Sequence, residues 1–201
     1  MLTDDDLKAE LDRLERYEGR VPWMYLDNAA PPNVTCGVGY LIASVDEACR
    51  LPWHHVLDGL PASRAEIAAD FLRVLAMRGG LRAAAYKGAL RLATADIDAE
   101  GFRRLRTFLD GLPDVFPDFI GFPAGVQQAL LDLAWNCGLT APRGLAGWTR
   151  LREACNSIPP DWKTAAAQCR TANPNNSLDR EHRNDWRSSC FIGEYALHNT
   201  E

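Results

Sequence analysis

The chain has 201 residues, a length that fits one domain, with 22 basic and 27 acidic residues and a net charge of -5. Hydrophobic residues make up 47% and charged residues 24%, an ordinary globular composition that excludes a disordered or low-complexity chain. The acidic balance argues against a nucleic-acid binder, and no apolar run approaches the roughly 18 residues that a membrane span needs.

The first residues, Met1-Leu2-Thr3-Asp4-Asp5-Asp6, show neither a basic nor an apolar leader region, so no signal peptide is expected. Residues 3–18 predict an amphipathic helix. Thr3 caps it, the aspartates suit its positive end, and Leu7, Leu11, Leu14 and Tyr17 share one stripe. Gly19 stops it. Residues 20–43 change character: β-branched and aromatic runs between turn residues predict a small antiparallel hairpin or meander.

The remainder reads as helical. Ser63 and Glu66 form a capping box before Ile67, Phe71, Leu72 and Leu75. Residues 98–110 carry Phe102, Leu105 and Leu109. Residues 123–137 carry Val126, Leu130, Leu133 and Ala134, and Gly138 follows as a stop. Shorter helices are predicted at 145–156, 161–170 and 179–191. Asp-Gly-Leu-Pro, at 58–61 and again at 110–113, reads as helix-stop punctuation. The expected fold is α+β, mostly α: one domain over 1–201, with a β lobe at 20–43, an extended helical middle segment at 44–122 and a helical lobe at 123–201.

Six cysteines stand at 36, 49, 137, 155, 169 and 190, with no Cys-x-x-Cys pair, so a zinc ribbon is not expected. Their even number permits up to three disulfides; buried free thiols are the other reading. His54-His55 lack a third metal ligand nearby. Gly37-x-Gly39 lacks the third glycine of a dinucleotide loop, and no Gly-x-Ser-x-Gly elbow exists. No metal and no cofactor are expected. Asn33-Val34-Thr35 matches a glycosylation sequon, which is set aside because Thr35 is wanted for chemistry.

That chemistry starts from two carboxylates. Glu18 ends the first helix and Asp27 lies nine residues on, in the sheet segment. A carboxyl tucked between helix and sheet keeps its proton and can serve as a general acid; one on a wetter loop stays ionised. Such a pair is what glycosidic hydrolysis requires. The plain alternative is two solvated surface charges.

The surrounding string, Glu18-Gly19, Tyr25-Leu26-Asp27 and Thr35-Cys36-Gly37-Val38-Gly39-Tyr40, resembles the signature of the phage-type lysozymes, glycoside hydrolase family 24. Gln127 to Gly138 is similar to that family's central buried helix. Trp162 to Cys169, then Arg180, Arg183, Arg187 and Phe191, resembles its alanine-rich and arginine-bearing helices. There are three departures. The loop between Asp27 and Thr35 is longer, Tyr40 stands where the family has histidine, and residues 44–122 exceed the small phage enzymes.

The resemblance implies a lysozyme-like fold and a role for each matched residue. Glu18 is the general acid, and Asp27 and Thr35 hold the attacking water. Tyr40, Leu41, Trp135, Asn136, Trp148 and Gln168 contact substrate, and Arg180 orients the acid. The implied activity is that of a muramidase acting on bacterial peptidoglycan laid across a cleft between sheet and helices. An inverting geometry needs about 6.5–9.5 Å between the two carboxyl groups.

Two alternatives keep the fold. One is a catalytically inactive module that binds peptidoglycan or an immunity protein. The other is a lytic transglycosylase, which has no use for a water-holding aspartate. The setting implied is the periplasm or the cell wall. Without a signal peptide, delivery is by a secretion system, as an antibacterial toxin with a cognate immunity protein, or by a holin, as an endolysin.

Overall fold

A computed structural model of the chain describes residues 2–172 and 177–198, with side chains described as far as Gly193. The architecture is α+β and mostly α, as the sequence pattern predicts. The chain divides into two compact units, one of Leu14–Phe102 and one of Met1–Arg13 with Arg103–Glu201.

The sheet unit begins inside α1 (Asp4–Glu18). At the start of that helix, the Asp6 amide bonds the Thr3 hydroxyl at 3.2 Å, and the Thr3 amide bonds the Asp6 carboxylate at 2.8 Å. Three antiparallel strands follow, in the order β1 (Val21–Leu26), β2 (Val34–Gly37), β3 (Tyr40–Leu41). Tyr25 pairs with Thr35 and Leu26 with Val34; across β2, Thr35 pairs with Leu41 and Cys36 with Tyr40. Met24, Leu26, Val34, Cys36 and Tyr40 are buried.

After the short helix α2 (Val45–Ala48) comes β4 (His54–His55). It pairs with β5 (Leu90–Arg91) as a separate two-stranded ribbon. Between them lies α3 (Arg64–Leu75), whose Ser63–Glu66 capping box is formed as predicted. Its buried stripe is Ile67, Asp70, Phe71 and Val74; Leu72 and Leu75 are half-exposed and face away.

The middle segment, 44–122, thus carries a two-stranded ribbon among its helices. Residues 44–102 of it belong to the sheet unit, where the Leu92 amide donates to the Pro22 carbonyl at 2.8 Å and the Trp23 indole to the Ala83 carbonyl at 2.8 Å. Short strands of two residues carry too little alternation to be read from sequence.

The helical unit takes up α4 (Thr94–Val115) from Arg103 onward. It continues with α5 (Ala124–Cys137), α6 (Thr149–Cys155), α7 (Trp162–Gln168) and α8 (Leu178–His198). In α5 every residue from Ala129 to Ala134 is buried, the pattern of a helix surrounded by protein. An aromatic cluster runs Phe116–Phe122–Trp162–Phe191, with ring centroids 6.5, 5.3 and 6.2 Å apart.

Asp132 is fully buried on α5 and bonds both Arg183 and Arg187 of α8; Arg183 Nε lies 3.1 Å from each carboxylate oxygen. Burial pushes the Arg187 pKa down, and the Asp132 charge opposes it.

Two punctuation readings are corrected. Asp58–Pro61 lies in the turn after β4, where the Leu60 amide donates to the Asp58 carboxylate at 3.0 Å. The second copy lies inside α4, which runs through Pro113 to Val115. Pro113 forfeits the backbone bond to Leu109 and crowds its carbonyl, yet the turn continues, with the Phe116 amide donating to the Leu112 carbonyl at 2.9 Å.

No helix among the described residues is long and apolar enough to cross a membrane. None of the six cysteines is joined in a disulfide.

Candidate active site

Glu18, Asp27 and Thr35 all lie in the sheet unit. Glu18 is the last residue of α1 and is partly exposed. Its side chain meets the tight turn between β2 and β3: a Cβ built on Gly39 would stand 3.5 Å from the Glu18 Cγ and 3.6 Å from its Oε2. That turn needs glycine twice. Gly37 and Gly39 have φ of 59° and 75°, the left-handed region that side chains disfavour. Gly37 also lies under the Tyr40 ring, where a Cβ would come within 2.3 Å of Cε2.

Asp27 closes a loop. Its Oδ1 accepts from the Ala29 amide at 3.0 Å and the Asn33 amide at 2.8 Å, and its Oδ2 accepts from the Asn33 side-chain amide at 3.0 Å. The Asp27 amide and the Thr35 hydroxyl both donate to the Asn33 carbonyl, at 3.0 and 3.3 Å. One residue thus fixes both water-holding candidates. The sequence signal for this loop is the Asx turn at Asp27, whose carboxylate accepts from the amide two residues on.

Leu41 is 46% exposed and shares a row with Thr35 and Tyr25 across the three strands. Tyr25 is half-buried. Burial pushes its phenol pKa up, and the charges of Glu18, Cys36 and Asp27 add to that effect, so both carboxylates act on this one ring.

Tyr40 corrects the expectation of a sugar contact. It is 1% exposed, and its hydroxyl donates to the Ile97 carbonyl at 2.7 Å. Its place opposite Cys36 in the register turns it to the buried face of the sheet, so it serves the core.

The other expected residues belong to the helical unit. Trp135, near the end of α5, packs edge-on against Phe108 with centroids 6.2 Å apart, and Asn136 beside it is exposed. Trp148 precedes α6, half-buried, with its indole 3.4 Å from the Arg143 carbonyl. Gln168 is the half-buried last residue of α7. Arg180, in the first turn of α8, is exposed and donates to the Ala172 carbonyl at 2.9 Å.

Among the described residues no group of three His, Cys, Asp or Glu side chains could hold a metal ion. His55 instead sits 3.3 Å from Glu66. No protein-family model matches the chain, and no curated protein is detectably similar to it.

Proposed function

We propose that the chain is a muramidase, a glycoside hydrolase cutting the β-1,4 bond between N-acetylmuramic acid and N-acetylglucosamine in bacterial peptidoglycan. The observation that supports this best is the shared tether of Asp27 and Thr35 to the Asn33 carbonyl, in the unit whose Gly39 turn lies against Glu18.

In this reading Glu18 gives its proton to the glycosidic oxygen as the bond from that oxygen to the anomeric carbon breaks. A water held by Asp27 and Thr35 forms the new bond from the opposite face, and its proton passes to the Asp27 carboxylate. The products are a reducing muramic acid end of inverted configuration and a free 4-hydroxyl on the glucosamine. Leu41 offers exposed apolar surface to a sugar face. The reaction uses no cofactor.

The proposal extends to setting. Wall lysis takes place in the periplasm or on the wall, after delivery by a secretion system or release by a holin. A producer that injects the enzyme as a toxin needs a cognate immunity protein.

Digestion of purified peptidoglycan, with mass spectrometry of the soluble fragments, tests the assignment. Hydrated reducing ends are expected. Anhydro-muramic ends make the protein a lytic transglycosylase, and wall binding without fragments makes it a binding module.

A further inference from the structure

The face of the sheet that carries Thr35 also carries Tyr25. Tyr25 is the register partner of Thr35, and directly opposed residues of antiparallel strands project to the same face. Asp27 follows Tyr25 by two positions, which returns it to that face, and its amide extends the pairing through the Asn33 carbonyl. The Tyr25 ring is thus bracketed by the two residues that hold water in the proposed mechanism. Its hydroxyl has no protein hydrogen-bond partner among the described residues. A half-buried phenol near two carboxylates, its pKa pushed up, stays protonated and remains a donor.

Counting lone pairs gives that donor a task. The Thr35 hydroxyl spends its hydrogen on the Asn33 carbonyl, so its oxygen is left as an acceptor. Asp27 Oδ1 takes two amide donors, while Oδ2 takes only the Asn33 side chain and keeps a free lone pair. A water that donates one hydrogen to Asp27 Oδ2 and the other to Thr35 Oγ1 is held at two corners. It can still turn about the axis joining them, and its two lone pairs are unassigned. We propose that Tyr25 is a positioning residue of the hydrolytic reaction: its hydroxyl donates to one lone pair of this water and leaves the other facing the anomeric carbon. The phenol keeps its proton throughout; the water's proton goes to Asp27 and the proton of Glu18 to the leaving oxygen. The inference rests on the muramidase reading.

The test is Tyr25→Phe, which keeps the ring and removes only the donor. Turnover on purified peptidoglycan should fall about tenfold, the scale of one lost hydrogen bond, while KM and Tm are unchanged. The products should remain hydrated reducing ends. The same substitution made in an Asp27→Ala background should alter the residual rate less than about twofold, because the water it orients is no longer held. A Tyr25→Phe protein with full kcat overturns the inference. So does an equal loss in both backgrounds, or a loss that tracks a lowered Tm. A wild-type protein that releases no fragments at all overturns the muramidase reading and this inference with it. Fragments from the wild type with an unaffected Tyr25→Phe variant overturn this inference alone.

Discussion

The Glu18 side chain lies against Gly39, with 3.5–3.6 Å from the nearest Glu18 atoms to where a Cβ on the glycine would stand. That is ordinary contact distance, so space does not demand glycine there; the φ of 75° does. Gly39→Ala should cost about 1–2 kcal/mol of backbone strain. Gly37→Ala meets the same strain and also drives a methyl into the buried Tyr40 ring, at 2.3 Å from Cε2. Overpacking adds about 1–3 kcal/mol, so it should cost about 2–5 kcal/mol. Urea unfolding of the two variants measures the difference; equal costs would contradict the packing of Tyr40 under this turn.

Glu18→Gln should abolish wall lysis without lowering Tm. The amide matches the carboxyl in shape and cannot protonate a leaving oxygen, a loss of about 10²–10⁴-fold. Turbidity of a cell-wall suspension reads it. More than about a tenth of the wild-type rate would remove Glu18 from the acid's role.

Acid should weaken the sheet unit through Glu15. Arg20 donates to both oxygens of that carboxylate, at 2.9 and 2.7 Å, and also reaches Asp98 at 2.7 Å. The Arg20 hydrogen bonds hold the Glu15 carboxyl below its ordinary value of 4.5. A depressed folded value means the contribution is complete above pH 4.5 and fades as pH falls through the folded value. Arg20→Ala should therefore lower Tm at pH 7, and the gap to wild type should close on acidification. A gap that widens below pH 4 refutes the linkage.

The six cysteines should behave as thiols. Burial pushes Cys137 up to about 11 and Cys155 and Cys169 up to about 12, so they stay protonated and slow to react near neutral pH. The protein should bind six equivalents of a thiol reagent after unfolding and markedly fewer before. Reductant should leave Tm unchanged. A reductant-sensitive Tm would mean that a pair is bridged.

The first helix, the meander and the α5 helix were legible because each rests on a local rule: a cap, an alternation, an apolar run closed by glycine. The limits of α3's core stripe were not. Leu72 and Leu75 are as apolar as Ile67 and Phe71, and only the position of the sheet decides which side is covered. Glu18, Asp27 and Thr35 come to notice through the resemblance of the string around them, since spacing alone reads equally as solvated surface charges; the structure places all three in the sheet unit. Tyr40 was misread because its direction depends on strand register, where a shift of one residue exchanges the faces. The bond from Asp132 to Arg183 and Arg187 joins residues more than 50 positions apart, so no local pattern announces it.

The loop that separates Asp27 from Thr35 is pinned at its base by Asn33, through its amide, its carbonyl and its side chain, and by the Ala29 amide on Asp27 Oδ1. Residues 30–32, all exposed, complete the loop between these anchors, with Pro32 beside Gly79. A peptide tag spliced between Ala30 and Pro31 leaves both the Ala29 and the Asn33 anchors in sequence and should keep the geometry of Asp27 and Thr35, which makes this the natural insertion point for altering what the protein meets.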